Sequence, residues 1–217
     1  EEANGHQNRW YVPHDVEALI ELLGGREAFI AELNALFEAA EATGFLAPHG
    51  SHYVAPLDYG NQPSMYIAHL FTYAGAPWLT QKWVRRVMAV AKSDITPFGG
   101  YGGDEDQGQM GSLNALMAIG LFNVAGGCHR EPFYEITSPI FDRIEIRLGG
   151  VTPARTFVIE TENNGPGERY IQSATLNGEP WDKPWLPHAA FAAGGTLRLI
   201  LGPAPNKEWG KDGVTAT

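Results

Sequence analysis

The sequence predicts an α+β protein in which part of an α/α toroid is followed by a small antiparallel β domain. Apolar residues recur at helical spacing from Asp15 to Val124, and the pattern changes to alternation from Phe133 onward. Long loops rich in glycine, proline and aromatic residues join the helices at Phe45–Gln62 and Ser93–Gln107. Loops of this length in a helical protein are usually functional. We therefore predict a helical domain over residues 1–130 and a β domain over residues 131–217.

Five segments of the first domain carry helix signals. The first begins with Asp15 as an N-cap and ends at a glycine pair, and the second has an apolar stripe closed by Gly44. The third and fourth begin with Pro63 and Pro77 in the first turn. The third is apolar nearly all round, which is typical of a buried helix. In order, the segments are DVEALIELLGG, REAFIAELNALFEAAEATG, PSMYIAHLFTYAG, PWLTQKWVRRVMAVAK and GQMGSLNALMAIGLF.

Five segments of the second domain alternate between apolar and polar residues. Turn signals such as Asn163-Asn164-Gly165 and Asn177-Gly178 separate them, as in an antiparallel sheet or sandwich. The predicted strands are FYEI, RIEIRL, TFVIET, YIQSATLNG and TLRLIL.

Composition excludes several classes of partner. The 217 residues carry a formal net charge of −10, which argues against nucleic acid. No apolar run reaches the length of about 18 residues that a membrane helix needs, so we expect no membrane partner. The single cysteine, Cys128, excludes an internal disulfide. Because the chain opens on Glu1 without a signal-like segment, we expect that a signal or a longer N-terminal part has been removed, or never belonged to this chain.

The loop PFGGYGGDEDQGQM places Asp104, Glu105 and Asp106 before the last helix. One interpretation is a solvated turn, because the helix dipole favours acids at a helix N-terminus. An EF-hand is excluded, because Gln109 and Ala115 stand where that motif needs Gly and Glu. The alternative is catalytic: glycines let the loop approach a ligand, one carboxylate acts as a base, and the other positions a water or a sugar hydroxyl.

Other polar residues suggest binding, each against a structural alternative. Asn61 and Gln62 form either an ordinary N-cap or oxygen ligands for a hard cation such as calcium. His49 and His52 have HxxH spacing, but they lie on a loop without an accompanying acid or cysteine, so a zinc site is not favoured. Aromatic residues near the polar loops suit a sugar ring and are also ordinary core residues; they are Trp10, Tyr11, Tyr53, Tyr59, Trp78 and Tyr101.

The ordered set of motifs resembles the C-terminal part of glycoside hydrolase family 92, the calcium-dependent, inverting exo-α-mannosidases. WYVPHDVEALIELLGGREAF is similar to that family's WFVPHDVxGLIxLMGGxxAF, and GGDEDQGQM to its GNEDxGQM. GNQPS followed by YAGAPWLTQKWVR resembles GNEPS followed by YAGxPWKTQxxVR. ITSPIFDRIEIRL, YIQSATLNG and PNKEWG resemble the family's closing segments, so the likeness runs from about residue 2 to residue 210.

The resemblance implies a fold and a set of roles. It implies that the chain is the last part of an (α/α)6 catalytic barrel plus a C-terminal β region, with an N-terminal β-sandwich and the rest of the barrel elsewhere in the protein. It implies Glu2 as general acid, Asp106 as general base and Asp104 as the base's partner. It further implies a mannoside or glycan substrate and Ca²⁺, with a secreted or periplasmic location. We expect Trp10, Tyr59 and Glu105 to contact substrate, and Asn61 and Gln62 to lie near the metal.

Several residues depart from the family pattern. Gln62 stands where relatives have Glu, Tyr59 where many α-1,2-specific members have His, and Met65 where relatives have His. His6 and the leucine of GQMGSL each replace a tryptophan. Three hypotheses therefore stay open. The first is an inverting α-mannosidase or a close variant that acts on another α-mannoside linkage. The second is a carbohydrate-binding protein without turnover. The third is a self-sufficient helical and β structural domain that keeps the motifs as relics.

Overall fold

A computed structural model describes residues 3–48, 50–91, 103, 105–150 and 153–214. In this part of the chain, helices fill the first half and strands the second, which confirms the α+β prediction. The helices are α1 (Gly5–Asn8), α2 (Val16–Leu22), α3 (Arg26–Glu41), α4 (Leu70–Tyr73), α5 (Pro77–Val90), α6 (Gln109–Ile119) and α7 (His188–Ala193). The strands are β1 (Leu121–Phe122), β2 (Phe133–Ile136), β3 (Arg143–Leu148), β4 (Arg155–Glu162), β5 (Tyr170–Leu176), β6 (Glu179–Pro180), β7 (Trp185–Pro187) and β8 (Gly195–Gly202).

Helices α2, α3, α5 and α6 form where the apolar periodicity predicts them. The Asp15 carboxylate accepts the Ala18 backbone N–H and caps α2, as expected of an N-cap acid. The apolar stripe of α3 buries Phe29, Leu33 and Phe37 completely. The Phe37 ring stacks on Trp83 of α5 with centroids 5.2 Å apart, so two predicted apolar faces meet in one core.

The segment PSMYIAHLFTYAG is not the continuous helix that its composition predicts. It forms two 3₁₀ turns, Gln62–Ser64 and Ile67–His69, before the short helix α4. The Ala68 backbone N–H donates to the Tyr59 hydroxyl at 3.1 Å rather than to a carbonyl four residues earlier. A side-chain acceptor from the preceding loop therefore competes with the α-helical hydrogen-bond ladder and tightens the backbone.

The strands form two sheets. A three-stranded antiparallel sheet has the order β1-β2-β7, and a five-stranded sheet has the order β3-β4-β8-β5-β6. Strands β4 and β8 pair in parallel, so the predicted antiparallel domain contains one parallel pair. A parallel pair needs a long crossover connection, and here β5, β6, β7 and α7 supply it.

Two hydrophobic cores meet around Leu121–Val124. Phe122 and Val124 belong to the core of the helices, whereas Leu121 packs in the core of the sheets with Phe157, Leu197 and other strand residues. Adjacent residues of β1 thus face different cores, because side chains alternate along a strand. The junction joins the helical part, which holds the predicted site residues, to the sheets.

Candidate functional site

A pocket of about 300 Å³ lies where three segments of the helical part meet. These segments are α1 with the residues after it, the Gln62–Ser64 turn with the residues after it, and the start of α6. The pocket is lined by Asn8, Tyr11, Gln62, Pro63, Met65, Tyr66 and Gln109. We call it the loop pocket, because three of the quoted sequence motifs supply its walls.

Asn4 and Gln7 attach α1 to the segment of residues 52–55. The Asn4 side-chain amide donates to the carbonyls of Tyr53 and Ala55, each at 2.8 Å. The Gln7 amide is buried and donates to the carbonyls of His52 and Ala55 at 2.9 and 3.0 Å. The Asn4 carbonyl oxygen also accepts the Gln7 backbone N–H and caps the helix. These bonds fix the wall of the loop pocket that carries Asn8 and Tyr11.

Asp58 organises the loop that leads to Gln62. It is 1% exposed, and its Oδ2 is 2.6 Å from Nδ1 of His52. Its Oδ1 accepts the Gly60 backbone N–H at 2.9 Å, and its own backbone N–H donates to Ser64 Oγ at 3.1 Å. A buried carboxylate is costly unless it is hydrogen-bonded, and here both oxygens have partners. The turn that presents Gln62 is therefore held from its buried side.

Gly103, next to the acidic residues in sequence, packs directly on this turn. A Cβ atom added to Gly103 would overlap the backbone of Gly60, so only glycine permits the observed approach. Asn61 lies on the other side of Gly60, is 2% exposed, and its Oδ1 accepts the Gln62 backbone N–H at 3.1 Å. Gly103 of the glycine-rich lead-in thus packs closely against the backbone beside the Asn61–Gln62 turn. The predicted approach of this loop to a ligand stays a prediction.

Glu105 is a capping residue rather than a free carboxylate. Its Oε2 accepts the Gly108 backbone N–H at 2.6 Å, and its Oε1 accepts that of Gly111 at 3.1 Å. Both oxygens therefore neutralise N–H groups at the start of α6, which otherwise lack acceptors. Both carboxylate oxygens thus have backbone partners, and the predicted substrate contact of Glu105 stays a prediction.

Asp106 is exposed and has a left-handed backbone with φ of 55°. Gln107 and Gly108 follow with φ of 58° and 98°, so three consecutive residues occupy a region that non-glycine residues rarely adopt. Strained backbone of this kind is concentrated at functional sites. The Asp106 carbonyl accepts the N–H of Gln109, which lines the loop pocket. Glu2 and Asp104, the other predicted catalytic residues, lie outside the described residues, as does His49.

Trp10 and Tyr59, predicted to bind substrate, lie in the core. Trp10 is 1% exposed and packs edge-on against Phe29 at 5.3 Å between ring centroids. Tyr59 is completely buried, and burial raises the pKa of its hydroxyl well above the ordinary value. Neither ring lines the loop pocket, and the predicted sugar contact of Trp10 and Tyr59 stays a prediction. Both rings belong to the hydrophobic core of the helical part.

Tyr66 and Tyr11 supply the aromatic surface of the loop pocket instead. Their rings meet edge to face with centroids 5.6 Å apart, and Tyr11 is 62% exposed. The Tyr66 hydroxyl is buried without a hydrogen-bond partner among the described residues. Tyr11 is among the aromatic residues that the sequence analysis proposes as sugar-binding. Tyr66 is not among them, because its segment has the composition of a uniformly apolar, buried helix.

Asn61 and Gln62 offer oxygen atoms of the kind that hard cations bind. Both lie in the turn under the acidic loop, and Gln62 lines the loop pocket. Among the described residues, no three His, Cys, Asp or Glu side chains form a group that could hold a metal ion. The donor set on this turn is thus neutral amide oxygens, which suit Ca²⁺ in kind but leave its charge to be balanced by other groups.

Comparison with known proteins identifies the family to which this chain belongs. The sequence model of the glycosyl hydrolase family 92 catalytic domain matches residues 1–203. The match covers most of the chain, so the chain belongs to glycosyl hydrolase family 92.

Individual relatives agree with this assignment. An uncharacterized secreted glycosidase of Arthroderma benhamiae is 34% identical over 207 residues, which are 94% of this chain and 24% of that protein. A family 92 α-mannosidase of Bacteroides thetaiotaomicron, solved in complex with mannoimidazole, superposes with a TM-score of 0.80 at 28% identity, covering 94% of this chain and 26% of that one. An inverting family 92 mannosidase of the same organism gives 0.78 at 31% identity, covering 95% and 28%.

This chain therefore spans about a quarter of the length of the relatives it matches. The similarity confirms the predicted resemblance and corresponds to one part of a longer family architecture. Within the described residues, no helix combines the length and apolar character that crossing a bilayer requires.

Proposed function

We propose that the protein containing this chain is an inverting, calcium-dependent, exo-acting α-mannosidase that hydrolyses α-mannosidic bonds of glycans. Membership of glycosyl hydrolase family 92, with Asp106 retained next to the loop pocket, carries the proposal. The solved relatives named above are mannosidases.

In the proposed reaction, Asp106 is the general base. Its carboxylate takes a proton from a water molecule, and that water attacks the anomeric carbon from the face opposite the bond that breaks. Glu2 acts as general acid and protonates the leaving oxygen. Inversion requires a separation of about 6.5 to 9.5 Å between the two carboxyl groups, because the water must fit between base and sugar.

Asp104 and Glu105 assist the base in different ways in this proposal. Asp104, two residues before the base, orients the attacking water. Glu105 does not contact the sugar; it fixes the start of α6 through Gly108 and Gly111. Asp106 is thereby held next to a rigid helix end, which limits the reorientation that catalysis would otherwise require.

The aromatic and amide groups of the loop pocket bind the sugar. Tyr11 offers an exposed ring face, and the amides of Gln62 and Gln109 offer hydrogen bonds to hydroxyl groups. Asn61 and Gln62 lie near the calcium ion, which supplies positive charge to sugar hydroxyl oxygens when it is bound.

We further propose that the remainder of the protein supplies an N-terminal β-sandwich and the rest of an (α/α)6 barrel. The length of the relatives supports this, since each is about four times as long as the region matched here. A secreted or periplasmic location is proposed from the fungal relative, which is described as secreted.

A second candidate is carbohydrate binding with little or no turnover. It is favoured by Gln62 and Met65, both lining the loop pocket, which stand where the family pattern has Glu and His. Loss of an acid and an imidazole from the pocket removes charge that could hold the metal or move a proton. Measurable mannose binding by calorimetry without hydrolysis would support this candidate.

The test is hydrolysis of α-mannosides by the full-length protein with and without a chelator, beside Asp106→Asn. We expect the chelator and the substitution each to abolish most activity, with calcium restoring the chelated wild type. Asp142→Asn, an exposed aspartate of the β part, serves as the control and should remain active. A rate of hydrolysis that is unchanged both by the chelator and by Asp106→Asn would refute the proposal.

A further inference from the structure

A second cleft, of about 410 Å³, lies between α5 and loops of the β part. Three arginines line it: Arg85 and Arg86 from α5, and Arg169 from the loop before β5. Met88, Ile140 and Pro166 form its apolar walls. We call it the arginine cleft; it shares no lining residue with the loop pocket.

In the part of the chain that the structure describes, the hydrogen-bond partners of Arg85 are all neutral groups. Its guanidinium donates to the Pro139 carbonyl, to Asn164 Oδ1 at 3.0 Å and to the Gly165 carbonyl at 3.0 Å. These three bonds fix the plane of the guanidinium and use three of its five N–H donors. Its positive charge is not matched by a carboxylate within ion-pair distance among the described residues.

Arg169 carries a second uncompensated charge. Its only hydrogen bond in the described part of the chain goes to the Pro166 carbonyl at 3.3 Å, which leaves most of its donors available. Partial burial lowers the pKa of Arg85, and the charge of Arg169 lowers it further, so the two guanidinium groups are close enough to repel each other. Among the described residues, Arg86 is the one arginine of the cleft with an acidic partner, Glu41, at 2.5 Å.

This concentration of positive charge is not a consequence of overall composition, because the chain has a net charge of −10. Guanidinium groups bind phosphate and sulfate through paired, charge-assisted hydrogen bonds. An anion between Arg85 and Arg169 would relieve their repulsion and accept their remaining donors. The apolar walls would reduce screening by water.

We propose that the arginine cleft binds a tetrahedral oxyanion of the phosphate or sulfate class. Arg85 and Arg169 contact the anion between them, and Arg86, which is paired with Glu41, lines the cleft beside them. The anion is either a free ion or a phosphate ester carried by a sugar. This proposal is independent of the glycosidase function, because it uses none of the groups assigned to that reaction.

The experiment is titration calorimetry of the full-length protein with inorganic phosphate, at constant ionic strength maintained with chloride. We expect saturable one-site binding by the wild type and a loss of affinity of about tenfold or more in Arg169→Gln. Arg169→Lys should fall between the two, because lysine keeps the charge but loses the paired geometry. If a hexose 6-phosphate binds more tightly than inorganic phosphate, the ligand is a phosphate ester. If it binds equally or more weakly, the ligand is a free ion.

Arg155→Gln is the matched control. Arg155 is an exposed arginine that also donates to a backbone carbonyl, that of Ala192, but it lies outside the cleft. Its substitution should leave phosphate affinity unchanged. Absence of saturable binding in the wild type, or equal affinity in wild type and Arg169→Gln, would overturn the proposal. Unfolding temperatures measured without phosphate identify variants that fail to fold.

Discussion

The helical part and the sheet part differ in what they bury. Every buried polar side chain among the described residues lies between Gln7 and Gln81 or in the segment Glu135–Ser138. The core of the five-stranded sheet is formed by apolar residues such as Phe157, Leu197 and Leu199. The sheet is therefore stabilised by apolar packing, whereas the helical part also buries hydrogen-bonded groups that position loops.

This difference indicates where function lies. A buried polar group costs free energy unless it is paired, so a cluster of them is retained where geometry matters. Asp58, Gln7 and Asn61 lie around the loop pocket and hold its walls from behind. The sheet has no comparable network among the described residues. We therefore expect substitutions in the sheet to affect stability, and substitutions in the polar network to affect activity as well.

The largest expected effect on stability comes from the sheet core. Phe157 is completely buried, and Phe157→Ala should reduce the free energy of unfolding by about 3 to 5 kcal/mol because it leaves a cavity. Activity per folded molecule should stay unchanged. Chemical denaturation and active-site-normalised rates provide the two measurements. Phe141→Ala is the control, since Phe141 is 49% exposed. A loss of turnover in correctly folded Phe157→Ala would contradict the claim that the sheet core affects stability but not activity.

The next effect concerns Glu135 at the junction of the two cores. Burial raises its pKa from 4.5 to about 7, although Tyr73 donates a hydrogen bond to it at 2.5 Å. The folded state thus holds this proton more tightly than the unfolded state. The stability contributed by the neutral acid is present below pH 4.5 and is lost as the pH rises to about 7.

We expect Glu135→Gln to remove this pH dependence, which amounts to about 3 kcal/mol for the shift given above. Free energies of unfolding measured between pH 4 and pH 8 test it. Buried His69 acts in the opposite direction: burial lowers its pKa to about 3, so its contribution is lost as the pH falls below its ordinary value of 6.5. Only the difference between wild type and variant isolates Glu135. Parallel curves for the two proteins would contradict the assignment, and Glu179→Gln, at an exposed strand position, controls for lost charge.

A smaller effect on stability, with a clear effect on activity, is expected at Asp58. Asp58→Ala removes the acceptor of the Gly60 N–H and the carboxylate contact of the His52 ring, which should cost about 1 to 3 kcal/mol. The displaced turn should also lower kcat by about a hundredfold, because small displacements of a positioning loop are costly. Kinetics on folded protein measures the second effect. Asp58→Asn, which keeps an acceptor for Gly60, should lose less; equal losses would show that the hydrogen bond is not the cause.

The smallest effect is expected at Glu105. Removing its cap in Glu105→Ala should cost about 1 kcal/mol, typical of a helix N-terminal cap. Turnover should fall less than in any Asp106 variant, because Glu105 positions the loop but does not react. Paired thermal unfolding and kinetic measurements compare the two acids. A loss of turnover as large as that of Asp106→Asn would indicate that Glu105 contacts the substrate directly.

Much of the fold is predictable because its signals are local. The Asp15 cap, the stripe of α3 and the alternation of Arg143–Leu148 each need only neighbouring residues, and each element forms as expected. The parallel pairing of β4 with β8 depends on chain path, which a local pattern does not contain.

The site is less predictable because its decisive contacts are distant in sequence. Asn4 bonds to carbonyls 49 and 51 residues away, and no local pattern indicates those partners. Neighbouring acids such as Glu105 and Asp106 look alike in the sequence, yet one caps a helix and the other is exposed on a left-handed turn. Aromatic residues are equally ambiguous, since Tyr59 is buried and Tyr11 is not.

The most direct test of the central claim is chemical rescue of Asp106→Ala in the full-length protein. If Asp106 is the base that activates water, kcat should fall by about 10² to 10⁴, the usual contribution of such a group. Azide, an anionic nucleophile that needs no base, should then restore turnover and yield a β-mannosyl azide from an α-mannoside. An unchanged rate of α-mannoside hydrolysis in Asp106→Ala, or an azide product that keeps the α configuration, would contradict the account.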